Sequence, residues 1–213
     1  MSGYTCGVTP ASSSPSKRNP TLREEQVAQT RAALAEAGRE LFGRQGFAAT
    51  SVEDLAREAR VTTGALYHHF PTKTALFETV FEQVHMELLA RSADAAAQAP
   101  DEIAALGIGF EAFLDGILAP EVQRILVTDG PAVLGVARFT ELDERYAVAS
   151  IAAELRAATD GGRLRVDDPD TLARLLLGAL TRASMLIAAA PDPRQARDAV
   201  VRSFRVLLAG LAA

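Results

Sequence analysis

Thr50-Ser51-Val52-Glu53-Asp54-Leu55-Ala56-Arg57-Glu58-Ala59-Arg60-Val61-Thr62-Thr63-Gly64-Ala65-Leu66-Tyr67-His68-His69-Phe70 reads as two short helices joined by a tight turn. Thr50 with Glu53, or Ser51 with Asp54, has capping-box spacing, which satisfies orphan N–H groups at a helix start. Val52, Leu55, Ala56 and Ala59 then recur on one helical face. Val61 follows the turn and can plug the space between the helices. Thr62 or Thr63 suits the N-cap of the second helix, where Leu66 and Phe70 share an inward face four residues apart. Pro71 ends that helix.

The second helix keeps Thr63, Gly64, Ala65, Tyr67 and His68 on its outer face. Small residues at its start let the backbone approach a duplex closely, hydroxyls can reach bases or phosphates, and Ala65 can meet a thymine methyl. The geometry suits a helix entering the major groove. Thr50, Ser51, Arg60, Thr62, His69 and Lys73 complete the expected DNA-facing set. Tyr67 and Lys73 are assigned to phosphates, Thr63 and Ala65 to base choice. On spacing alone the alternative is an ordinary helical hairpin whose Tyr67, His68 and His69 decorate a solvated face. No metal site is expected: adjacent histidines on a helix diverge by about 100°, and no Cys or acidic partner completes a set.

Working outward, Leu34, Ala37, Leu41 and Phe42 form an apolar stripe on a helix expected over residues 23–43, which Gly43 and Gly46 punctuate. Phe47 can pack under the helix pair. The run Ala37-Gly38-Arg39-Glu40-Leu41-Phe42, Gly46-Phe47, Thr50-Ser51-Val52, Leu55-Ala56, Val61, Gly64-Ala65-Leu66-Tyr67-His68-His69-Phe70 and Lys73 resembles the N-terminal DNA-binding domain of the TetR family. The resemblance covers residues 25–78. It implies a helix-turn-helix head, a homodimer formed by the last two helices, and a small-molecule effector that moves the helix connecting head to body. Arg60 departs from the family pattern, which usually has glycine before Val61. A left-handed backbone at a non-glycine residue there costs on the order of 1 kcal/mol.

The 213-residue chain is 48% hydrophobic and rich in Ala and Leu, with little strand-like alternation, so the fold expected is all-α with about nine helices. Net charge is −5, yet residues 17–73 hold nine Lys or Arg against seven Asp or Glu, while residues 74–213 hold 13 against 20. A weakly basic head on an acidic body is compatible with one DNA-facing surface. The expected organisation is a disordered leader at 1–20, a DNA-binding domain at 21–73, and a ligand-binding and dimerisation domain at 74–213. In the leader, Lys17 and Arg18 read as a solvated tail or as a basic arm on DNA, and Cys6 has no internal disulfide partner. No apolar run of membrane-spanning length and no signal peptide are read, which places the protein in the cytoplasm without membrane contact.

A long helix from Thr72 to about residue 97 carries Leu76, Phe77, Val80, Phe81, Val84, Leu88 and Leu89. Further helices are expected near 102–118, 120–128, 132–158, 168–190 and 193–211, with a kinked connection over 128–135. The last two have apolar stripes that pack within the monomer or form a dimer interface. The middle helices offer Phe110, Phe113, Leu114, Ile117, Phe139, Tyr146 and Met185 as an apolar lining, with His85, Asp129 and Arg138 to orient a ligand. No cofactor is implied. The leading reading is a repressor that a small apolar or amphipathic ligand releases from a palindromic operator on double-stranded DNA. Its neighbour in class is a DNA-binding protein that senses no small molecule, distinguished by a filled body instead of a cavity. An all-helical enzyme is the third reading; no catalytic constellation is legible, although His85 beside an acid would serve as a base.

Overall fold

A computed structural model describes residues 21–211. The leader, with Cys6, Lys17 and Arg18, lies outside the described residues. Among those described, nine α-helices and one π-helical segment make up the regular structure, and no strand occurs. The helices are α1 (Leu22–Gln45), α2 (Val52–Glu58), α3 (Thr63–His69), α4 (Lys73–Ala96), α5 (Glu102–Ile117), α6 (Pro120–Val122), α7 (Gly130–Asp160), α8 (Pro169–Ala189) and α9 (Pro193–Ala209). The π segment, Gln123–Asp129, follows α6 directly.

Side-chain caps explain most of the helix starts. Thr21 and Glu24 form a capping box on α1, and Ser51 with Asp54, the second of the two alternatives, forms one on α2. Thr62 caps α3, Thr72 caps α4, Asp101 caps α5, and Asp168 and Asp192 cap α8 and α9. Gly46, with φ 86°, ends α1 in a backbone conformation that favours glycine, and its N–H donates to the Phe42 carbonyl.

The turn between α2 and α3 is a Schellman motif. Arg60 N–H donates to the Arg57 carbonyl at 3.1 Å, and Val61 N–H reaches back to Ala56 at 2.9 Å. This geometry puts Arg60 at φ 56°, the only positive-φ non-glycine residue among those described. The left-handed backbone is therefore retained without the glycine. Glycine there would remove the Cβ strain and give back part of the gain as unfolded-chain entropy. Arg60→Gly should raise stability by about 0.5–1 kcal/mol, read as a higher urea midpoint at unchanged m-value. A lower midpoint would mean that the arginine side chain holds the turn.

Leu55, Leu66 and Phe70 are fully buried between α1 and the α2–α3 pair, and the rings of Phe42, Phe47 and Phe77 meet at 5.3–5.7 Å. Leu76, Phe77 and Val80 at the start of α4 join this core, so α4 is shared between head and body. In the body, α4 runs along α5, and α7 along α8. Two features differ from the sequence expectation. First, the helix expected over 120–128 is a single turn of α6 that widens into the π segment, whereas the break of α7 at Gly135, where φ is 75°, falls in the kinked connection expected over 128–135. Secondly, α8 is long and apolar enough by length and composition to cross a membrane. Leu176, Leu177, Leu180 and Ile187 lie in the core, as in a core helix of a folded body.

Candidate DNA-reading head and effector cavity

On the head, Ser51, Arg60, Thr62, Thr63, Gly64, Tyr67 and His68 are exposed, Ala65, His69 and Lys73 are half-buried, and Thr50 is buried. Thr50 points inward because its hydroxyl donates to the Gly46 carbonyl at 2.7 Å and accepts from Gln45 Nε2 at 3.3 Å. It braces the α1–α2 connection and offers no side-chain surface to DNA, contrary to the sequence expectation. Ser51 is engaged with Asp54 in its cap. The carbonyl of His69 accepts from Arg31, whose guanidinium lies 4.2 Å from the centre of the Phe70 ring.

Lys73 differs most from what its charge alone suggests. Its Nζ donates to the carbonyls of Phe47 and Thr50, each at 2.8 Å, and sits 4.0 Å above the centre of the Phe47 ring. Two of the three ammonium N–H bonds are thus spent closing the α1–α2 loop onto α4. Lys73 is thereby a staple of the head, with one N–H left beyond these two bonds.

In the body, a cavity of about 190 Å³ opens between α4, α5, α7 and α8. Small side chains make the room, notably Ala93, Ala96, Ala105 and Ala147, while Phe110, Phe113 and Tyr146 supply aromatic walls. Beside it lies a smaller void of about 30 Å³, bordered by Ile117, Leu126, Val127, Phe139, Asp143, Thr181 and Met185 among others. His85, Phe113, Leu177 and Leu180 border both.

His85 is the buried polar centre of this region, with 2% of its surface exposed. Its Nε2 faces Asp143 Oδ1 at 3.5 Å, and its Nδ1 has no hydrogen-bond partner. The other Asp143 oxygen accepts from the Thr181 hydroxyl at 2.8 Å. Burial pushes the His85 imidazole down to about 4 and the Asp143 carboxyl up to about 6, the latter opposed by the Thr181 bond. Each shift has a sign in the pH profile. As pH falls from 6.5 to 4, the unfolded chain protonates His85 and the native state does not, so stability is lost. Over nearly the same window native Asp143 takes up a proton before its unfolded counterpart, and stability is gained. The two offset in the wild type. Asp143→Asn should unmask the histidine, with stability falling towards pH 4 by up to about 1.4 kcal/mol per unit relative to wild type. Urea titrations at several pH values measure it; parallel profiles would mean that the Asp143 carboxyl is not raised in the native state, and a flat profile in the variant that His85 is not held neutral.

Residues 34–80 match the family described as bacterial regulatory proteins, tetR family, and residues 103–211 match the tetracyclin repressor-like C-terminal domain. A TetR-family transcriptional regulator from Pectobacterium atrosepticum, known from its crystal structure, is 34% identical; the superposition covers 89% of this chain and 97% of that one with a TM-score of 0.80. This chain belongs to the TetR family. It is also similar to the HTH-type transcriptional regulator TtgR of Pseudomonas putida, 36% identical over 108 residues, which is 48% of this chain and 50% of TtgR. This chain thus aligns with about half of that regulator. RolR, solved in complex with resorcinol, shares the fold at 19% identity, with 84% of this chain and 89% of RolR covered at a TM-score of 0.67. As a TetR-family member the chain is a DNA-binding transcriptional regulator, a class distinct from enzymes.

Measured against this TetR body, the expected effector residues divide. His85, Phe110, Phe113 and Tyr146 border the larger cavity, and Ile117, Phe139 and Met185 the smaller. Leu114 is fully buried and borders neither. Arg138 is turned to the surface, where it pairs with Glu78 and Glu141 and ties α7 to α4. Asp129 sits at the joint with the head, its Oδ2 accepting from the Phe47 N–H at 2.7 Å. Both are corrections with one physical cause: charged side chains find partners at helix crossings before they enter an apolar cavity. Sequence reading missed Asp143 and Thr181. Asp143 stands four residues after Phe139 and three before Tyr146, on the same helical face, a signal hidden by its charged neighbours Glu141, Glu144 and Arg145.

Proposed function

We propose that this regulator binds a palindromic operator as a homodimer and is released from it by a small molecule entering the body. The observation that carries this reading is the partly apolar cavity behind a helix-turn-helix head, since a DNA-organising relative without a ligand would have a filled body. Two helices in neighbouring major grooves require half-sites about 34–36 Å apart and hence two copies of the chain. The α8–α9 pair offers the surface for the second copy: Leu175, Leu186, Val206 and Leu207 are between 49% and 73% exposed. Leu175, Gly178, Arg182, Leu186 and Ala189 are all exposed at helical spacing, forming a stripe down α8.

On α3, Thr63 and Ala65 are proposed to choose bases and Tyr67 to hold a phosphate, with Gly64 and His68 on the same outer face, Ser51, Arg60 and Thr62 beside them and the half-buried His69 behind. Residues 21–73 act as the reading unit and 74–213 as the sensing unit, with α4 common to both. Two routes support coupling between them. One is α4, which carries both His85 at the cavity and Phe77 in the head. The other is the π segment, whose Leu126 and Val127 border the smaller void and whose Asp129 holds the Phe47 N–H. A ligand that favours the head spacing unable to span two grooves weakens DNA binding, and DNA weakens ligand binding by the same factor. Such a regulator works in the cytoplasm, where the chromosome is.

Selection of binding sites from random-sequence duplex DNA, followed by affinity against salt, tests this. An enriched palindrome with a log–log slope of about −0.9 per phosphate contact is the expected result. No enrichment by a folded dimer would overturn the sequence-reading role of α3.

A further inference from the structure

The chemistry of the larger cavity narrows what it can hold. Its volume of about 190 Å³ is modestly above the roughly 150 Å³ of an apolar protein cavity that takes up benzene, so it suits a single ring with small substituents. No Lys or Arg borders either cavity, whereas Asp143 borders the smaller and Glu154 the larger. A carboxylate-bearing ligand would therefore be buried beside acids without a compensating cation. His85 borders both cavities, almost wholly buried and with one nitrogen unpartnered.

The state of that nitrogen follows from its surroundings. The imidazole is neutral, so it carries one proton, and the acidic Asp143 opposite Nε2 favours the proton there. Nδ1 is then a bare lone pair in an apolar setting, an acceptor that lacks a donor. The hydroxyl of Ser92 is no substitute, since it donates to the Leu88 carbonyl at 2.8 Å. A buried acceptor without a partner costs free energy until something donates to it.

We propose that the effector is an uncharged, single-ring hydroxylated compound whose O–H donates to His85 Nδ1 while its ring lies among Phe110, Phe113 and Tyr146. This rests on the reading of the body as an effector-sensing unit. The donor fixes orientation and the aromatic walls supply most of the affinity, as apolar sites with few polar groups do. A cationic amine fits less well, because both Asp143 oxygens are engaged, one facing His85 Nε2 and the other accepting from the Thr181 hydroxyl, and a neutral imidazole with a bare lone pair calls for a donor and not for a charge.

Calorimetric titration of the full chain with phenol, toluene, benzoate and benzylamine tests the proposal. Phenol is expected to bind about tenfold more tightly than toluene, the worth of one hydrogen bond, and benzoate not at all. In His85→Phe the phenol-to-toluene ratio should fall to about one. Because that variant can lose its fold, nitrogen NMR of the wild-type histidines supplies an independent reading. The His85 Nδ1 resonance should begin as an unprotonated ring nitrogen and move upfield with phenol, while His68 and His69 on the head stay unchanged. Equal phenol and toluene affinities, preference for benzoate or benzylamine, or an unmoved Nδ1 would each overturn the ligand class. Operator binding is scored separately. A protein that binds its operator yet ignores phenol refutes this class and leaves the regulator intact, whereas one that binds phenol but no DNA refutes the reading of the head.

Discussion

Lys73→Met should destabilise the DNA-binding head by about 2–4 kcal/mol, the sum expected from two charge-assisted hydrogen bonds partly offset by the retained apolar stem. The ammonium holds the carbonyls of Phe47 and Thr50 and lies over the Phe47 ring, so its removal frees the loop that positions α2 against α4. Hydrogen exchange should show the loss confined to residues 22–70 while the body keeps its protection. Operator affinity falls with the folded fraction of the head. A simple phosphate contact behaves differently: it would leave thermal stability unchanged and reduce the salt slope by about one unit. The two outcomes separate a staple from a DNA contact in one pair of measurements.

The second large effect concerns assembly. Leu175→Glu combined with Leu186→Glu should convert the proposed dimer to a folded monomer, because both residues are exposed in the single chain and neither belongs to the buried core. Sedimentation reads the monomer directly. Loss of the second head should then weaken operator binding by about 10²–10³-fold, the scale of the avidity gained by linking two sites. A dimer that survives both substitutions would move the interface away from the outer face of α8. A monomer with undiminished affinity would mean that a single head suffices for recognition.

These results would weigh differently on the two halves of the molecule because they were legible to different degrees. In the head, local rules were sufficient for the helices, their caps and their faces. Ser51–Asp54 and Thr62 cap helices at the expected spacing, Leu55, Leu66 and Phe70 fall inward, and Tyr67 and His68 fall outward, since three- and four-residue periodicity is a property of the helix itself. At Arg60 the sequence, set beside the family's usual glycine, posed only a conditional cost, and the left-handed backbone found there makes it real. In the body, the helices were legible and their contacts were not.

By itself, then, the sequence determined an all-helical TetR-family chain with a reading head, an inward and an outward face for most helices, and a weakly basic head on an acidic body. Tertiary structure alone decided the fate of the charged and polar groups that reach across helices. It turned Thr50 inward, spent Lys73 on two carbonyls, brought Asp129 to Phe47, sent Arg138 to Glu78 on α4, and set His85 against Asp143 with one nitrogen left free. The physical reason is range. Periodicity fixes which side of a helix a residue occupies, but a polar contact of 2.7–3.5 Å depends on where two helices cross, and helix crossings are set by the packing of whole faces.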